Sequence, residues 1–183
     1  MKKVFIAAIM YLSVLTTNTF AEVKMGIILG FTGPIESLTP AMAASAELAF
    51  KEASDSGSLL GGEKIKPIRA DSTCVDSAAA TTAAEGLVSQ GIAAIMGADC
   101  SGVTGAIASN VAVSNGIVMI SPSATSPGLT TLDDKGLFFR TAPSDARGGQ
   151  ILADITKDRK IKSVAITYTC LLYTSDAADE TCR

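Results

Sequence analysis

From residue 22 onward, short apolar runs alternate with longer amphipathic stretches, and this alternation restricts the fold more than any other feature of the chain. Glu22 to Leu29 reads as a strand, Gly30 to Thr39 as a loop punctuated by Gly and Pro, and Pro40 opens a helix. Ala46, Ala49 and Phe50 interleave with Glu47, Lys51 and Glu52, so residues 41–54 form an amphipathic helix that the glycine-rich breakers at 56–62 close. The pattern then repeats: strand Ile65 to Ala70, helix Asp76 to Gln90, strand Ile92 to Gly97, helix Val103 to Ser114, strand Ile117 to Ser121. After a loop at Pro122 to Thr131 come a short strand at Leu137 to Thr141, a helix at Asp145 to Asp158 and a last strand at Ser163 to Tyr168. Successive β-α units of this spacing make parallel strands joined by right-handed crossovers, so the expected fold is α/β with a doubly wound parallel sheet. Ligands of such sheets sit beyond the carboxyl ends of the strands, which directs attention to the loops at 30–39, 71–75, 98–102 and 122–130.

Composition removes whole classes of function. The chain has no His, which takes away the commonest general base, the commonest metal ligand and any Ser-His-Asp triad. No pair of acids or Ser/Lys groups stands in a catalytic spacing, and no GxGxxG or P-loop pattern occurs, so neither an enzyme, nor a metal site, nor a cofactor is expected. With 15 basic against 18 acidic residues the net charge is −3, which argues against a nucleic-acid partner.

The first 21 residues have the layout of a cleaved secretory signal. Lys2 and Lys3 precede an apolar run from Val4 to Leu15 that is too short to span a bilayer, and Thr19-Phe20-Ala21 places cleavage after Ala21. No Cys stands at the first mature position to accept a lipid, and no later segment approaches the length of a membrane span. The expectation is a periplasmic protein of a Gram-negative bacterium, without membrane insertion.

At the other end, Cys170 to Glu180 reads like the translated end sequence of a DNA-sequencing adapter, so residues 170–183 are taken as a non-native tail. Of the four cysteines, Cys74 and Cys100 then belong to the natural protein, and in an oxidising compartment they form a disulfide.

Two loops carry groups suited to a small polar ligand. Ser101 stands where a helix begins, so its hydroxyl either caps that helix or, with nearby amides, receives a carboxylate. The stretch Ser121-Pro122-Ser123-Ala124-Thr125-Ser126-Pro127 is held extended by its prolines. It is either a solvated turn or a cradle for a zwitterion, in which the Ser123 carbonyl takes the ammonium and Thr125 offers its hydroxyl and amide.

These loops, with Gly33-Pro34, Asp71-Ser72-Thr73-Cys74, Asp99-Cys100-Ser101, Ile120 to Pro127 and Phe139-Arg140-Thr141, resemble the leucine/isoleucine/valine-binding family of periplasmic receptors that serve ABC transporters. The resemblance runs from Val23 to about Thr169. It implies a type I two-lobed binding protein that closes on an amino acid by a hinge, with residues 22–169 as the N-terminal lobe. It also implies the Cys74–Cys100 bridge, ligand contacts from Ser101, Ser123, Ala124 and Thr125, and ABC permease subunits as partners. Leu38 stands where the family often has an aromatic wall over the ligand side chain. The family's members are longer, and their second lobe adds an aromatic and an acidic contact, so the expectation is a truncated receptor that binds weakly and exposes apolar surface. An exported amino-acid or amide sensor of the same fold is the alternative.

Overall fold

The computed structural model describes residues 22–166, so the expected leader (1–21), Tyr168 and the expected tail (170–183) lie outside the described residues. Five strands form one parallel sheet in the order β2-β1-β3-β4-β5: β1 Glu22–Leu29, β2 Lys64–Asp71, β3 Ala94–Gly97, β4 Val118–Ser121 and β5 Phe138–Arg140. Four α-helices accompany them: α1 Thr39–Asp55, α2 Ser77–Ser89, α3 Ser101–Ile107 and α4 Asp145–Asp158.

Strand alternation sorts the apolar side chains onto two faces. On one face, Ile28, Ile95, Met119 and Phe138 meet Ala80, Ala84 and Leu87 of α2 and Val103 and Ile107 of α3 in a single buried cluster. On the other, Ile27 and Leu29 meet Ala43 and Ala46 of α1, with Phe31, Phe50 and Met96 at the margin. Alanines at the helix contacts let the helices lie close to the sheet, which explains the low aromatic content. Helices on both faces of a parallel sheet are the doubly wound arrangement that the alternation predicts.

Local chemistry fixes the element ends. Asp76 caps α2 by accepting from the Ala78 and Ala79 amides, both at 2.9 Å. Ser54 accepts from the Ile65 amide at 2.9 Å and so ties the end of α1 to the start of β2. A two-pronged ion pair from Arg69 to Glu47 (2.6 and 2.8 Å) joins β2 to α1, and the Arg69 guanidinium lies 5.5 Å over the Phe31 ring. At the end of β3, Gly97 has φ +133°, and a Cβ there would stand 2.0 Å from the Ile28 carbonyl oxygen, so only glycine lets β3 run against β1 at this point.

Three sequence expectations need correction. Residues 163–166 form no strand: α4 leads into a segment without sheet partners, and Val164 and Ile166 stay exposed. An apolar run becomes a strand only where another strand's amides and carbonyls are available. The helix expected from Val103 begins at Ser101 and widens into a π turn at Ala108–Ala112. The loop after β4 contains a short 3₁₀ turn, Pro127–Thr130.

The α1 face is only half covered. Ile120 and Phe139 continue the apolar row of that face across β4 and β5 but are 43% and 52% exposed, and α4 buries none of its residues, leaving Ile151, Leu152 and Ile155 open. Exposed apolar surface of this kind drives association. Sedimentation velocity over a concentration series is expected to show reversible self-association that Phe139→Glu weakens; a concentration-independent monomer would contradict the exposure.

Candidate functional site

The strand order reverses direction between β1 and β3, and the loops leaving β1, β2, β3 and β4 converge beyond their carboxyl ends. The first two loops interlock through backbone. Gly33, at φ +98°, lies so close to the next loop that a Cβ would approach the Thr73 carbonyl oxygen to 2.5 Å. Asp71 bridges the same loops, accepting from the Thr32 hydroxyl (2.6 Å), the Thr32 amide (3.3 Å) and the Thr73 amide (2.8 Å). Partial burial pushes its carboxyl up, but these hydrogen bonds to Thr32 and Thr73 outweigh that and hold it below the usual carboxylate value.

Cys74 and Cys100 are joined, with Cα atoms 5.2 Å apart, so the loop after β2 is bolted to the residue that precedes α3. Cys74 is buried, and both it and Thr73 have positive φ (+69° and +57°), a conformation that side-chain-bearing residues adopt only under external constraint.

Ser101 is the first residue of α3 and is buried, but its hydroxyl does not cap the helix. The oxygen accepts from the Thr125 and Ser126 amides, each at 3.1 Å, reaching across to the loop after β4. Its proton is left to donate elsewhere. Ser123 donates to the Asp99 carbonyl at 3.0 Å, and Ala124 is fully buried with its amide on the Ser121 hydroxyl. Ser101, Ser123, Ala124 and Thr125 are therefore brought together. The two donors ascribed to Thr125 are both engaged: its amide on Ser101 and its hydroxyl on Asp145 Oδ2 at 2.8 Å. What Thr125 retains is acceptor capacity on its hydroxyl oxygen. Leu38 precedes α1 at the same end of the sheet and is 61% exposed.

Four polar residues that hold this arrangement have no role in the sequence reading. Asp99 accepts from the Gly30 and Cys100 amides (2.9 and 3.0 Å) and stands 3.4 Å from the Ser72 hydroxyl. Ser121 donates to the Ala98 carbonyl. Arg140 reaches from β5 to the Ser126 carbonyl at 2.7 Å and to the Thr130 hydroxyl. Asp145, the first residue of α4, holds Thr125 from both sides, since its amide also donates to the Thr125 carbonyl at 3.0 Å. Asp99, Ser121 and Arg140 lie inside the motif segments, so the signal was present, but only the fold shows which partners they meet. Among the described residues no group of His, Cys, Asp and Glu is placed to hold a metal ion.

Replacing both cysteines by serine is expected to lower unfolding stability by about 3 kcal/mol, measured in urea, because the bridge closes a loop between residues 26 apart. For Asp71, the folded-state pKa lies below the ordinary value of 3.8. Its contribution is therefore fully present above the unfolded value and is lost as pH falls through the folded one. Urea midpoints from about pH 6 to about pH 2 should fall less steeply in Asp71→Asn than in the parent chain; parallel curves would refute this.

Residues 22–181 match the model of the family described as periplasmic binding protein. The chain is 35% identical over 170 residues to Leu/Ile/Val-binding protein homolog 1 of Brucella melitensis, covering 90% of this chain and 43% of that protein. Among solved structures it is similar to the branched-chain amino acid transporter substrate binding protein LivJ of Streptococcus pneumoniae in complex with isoleucine, with TM-score 0.66, 28% identity and coverage of 76% of this chain and 39% of that one. An ABC transporter substrate-binding protein of Desulfitobacterium hafniense in complex with Leu gives TM-score 0.62, 30% identity and coverage of 76% and 39%. The chain thus spans less than half the length of these relatives. With its parallel doubly wound sheet, its Cys74–Cys100 bridge and this match across all of the described residues, the chain belongs to the periplasmic binding protein family.

Proposed function

We propose that the chain supplies one wall of the amino-acid site in a periplasmic, non-enzymatic substrate-binding component of an ABC transporter, with a branched-chain or related small amino acid as ligand. The observation that carries this reading is the junction of Ser101 with Thr125 and Ser126. Two loops that are distant in sequence place a hydroxyl with a free proton beside a hydroxyl oxygen with free lone pairs. The Ser101 proton donates to the ligand carboxylate, and the Thr125 oxygen, backed by the Asp145 carboxylate 2.8 Å away, accepts from the ammonium. The Ser123 carbonyl adds a second acceptor, Ala124 closes the floor, and Leu38 faces the ligand's apolar side chain. The names of the relatives support the substrate class, since they are Leu/Ile/Val-binding proteins or were solved with isoleucine or Leu.

Affinity follows from exposure. Ser123 is exposed and Thr125 only partly buried, so these hydrogen bonds form in competition with water and each adds little. The wall by itself is expected to hold leucine at roughly millimolar dissociation constant. Titrating leucine, isoleucine and valine into the ¹⁵N-labelled chain should shift the Ser101, Thr125 and Ser126 amide resonances, and Ser101→Ala should abolish the response. Silence at those three amides for all three amino acids would refute the reading, and micromolar affinity by calorimetry would overturn the argument from exposure.

A further inference from the structure

Asp99 is a carboxylate only 5% exposed, and among the described residues no cation pairs with it. A buried charge without a counter-charge is a poor way to gain stability, because removal from water costs more than neutral donors return. Its contacts show a different use. Oδ2 accepts from the Gly30 amide at the end of β1, while Oδ1 accepts from the Cys100 amide and faces the Ser72 hydroxyl at the end of β2. Its main-chain oxygen accepts from Ser123, in the loop after β4. One residue thereby touches the loops that leave β1, β2 and β4 while belonging to the loop that leaves β3. Ser101, two residues on, inherits whatever orientation Asp99 imposes on Cys100.

We propose that Asp99 is the positioning residue of the site: its carboxylate sets the direction in which α3 presents Ser101, and its carbonyl sets Ser123, so that the Ser101 oxygen meets the Thr125 and Ser126 amides. This rests on the amino-acid site proposed above but makes a separate claim, since the junction exists without ligand. The disulfide alone does not do the same work. It joins Cys100 to the loop after β2, whereas Asp99 adds the loops after β1 and β4.

The chemistry of the three donors ranks the substitutions. Asp99→Asn keeps one oxygen and turns an NH₂ group toward a donor, and Asp99→Leu keeps none of the side-chain contacts. The experiment is native-state hydrogen exchange on the ¹⁵N-labelled chain, with the leucine titration run on the same samples. In Asp99→Asn, exchange of the Gly30, Cys100, Thr125 and Ser126 amides should accelerate about tenfold relative to the Met25–Ile28 amides of β1, and more in Asp99→Leu. The leucine response at Ser101 should weaken in the same order, about fivefold or more for the asparagine variant, with its unfolding midpoint measured in parallel. Uniform acceleration that includes the β1 core, or loop exchange equal to the parent's, overturns the proposal. If Asp99→Leu does not fold, the asparagine variant decides alone. If the parent chain gives no leucine response, the amino-acid site falls while the exchange ranking still decides whether Asp99 positions Ser101.

Discussion

The described structure depends on the carboxyl half of β1 being buried on both faces while β1 pairs in parallel on both edges. Ile27, Ile28 and Leu29 are inaccessible to water, and β1 is the strand from which the chain winds in two directions, to β2 on one side and β3 on the other. Because the crossovers leave from opposite edges, the loops after β1 and β3 part from each other and leave a crevice between them. The hydrogen bond from the Gly30 amide to Asp99 crosses that crevice at its base.

Polar groups in the crevice are mostly committed to one another. Asp71 is engaged with Thr32 and Thr73, Asp99 with Gly30, Ser72 and Cys100, Ser121 with Ala98 and Ala124, and Asp145 with Thr125. Among the described residues no buried side-chain polar atom lacks a partner. A preorganised set of this kind leaves few orientations for the groups that remain free, the Ser101 proton and the Thr125 lone pairs, and lowers the cost of ordering them around a ligand. The exposed apolar row of Ile120 and Phe139 shows the opposite condition: side chains with the right pattern and no partner.

The place of the candidate loops is legible in the sequence. Strand–helix alternation points to the loops, the family resemblance points to Ser101, Ser123, Ala124 and Thr125 within them, and the structure brings these four residues together. The bond of Ser101 was not readable, because a serine at a helix start has a local use as a cap, and nothing in its neighbourhood reveals that amides 24 and 25 residues away are nearer. Asp99 was hidden for a related reason. A lone acid in a loop reads as solvated, and only the packing of three other loops around it makes it buried.

The sequence by itself determined the order and type of the elements from β1 to α4, since apolar periodicity and the Gly and Pro breaks are local properties: β1 has the boundaries read from its residues, and α4 spans the range read from its pattern. The Cys74–Cys100 pairing expected from the sequence is the one the structure contains. Tertiary structure decided what each polar group is bonded to, and whether an apolar run becomes a strand. Residues 163–166 have strand composition but lie outside the sheet, and Thr125 has donors that its neighbours already use. Hydrogen-bond partners depend on distances between segments, and those distances are set by the packing of helices on the sheet, not by any residue's own preference.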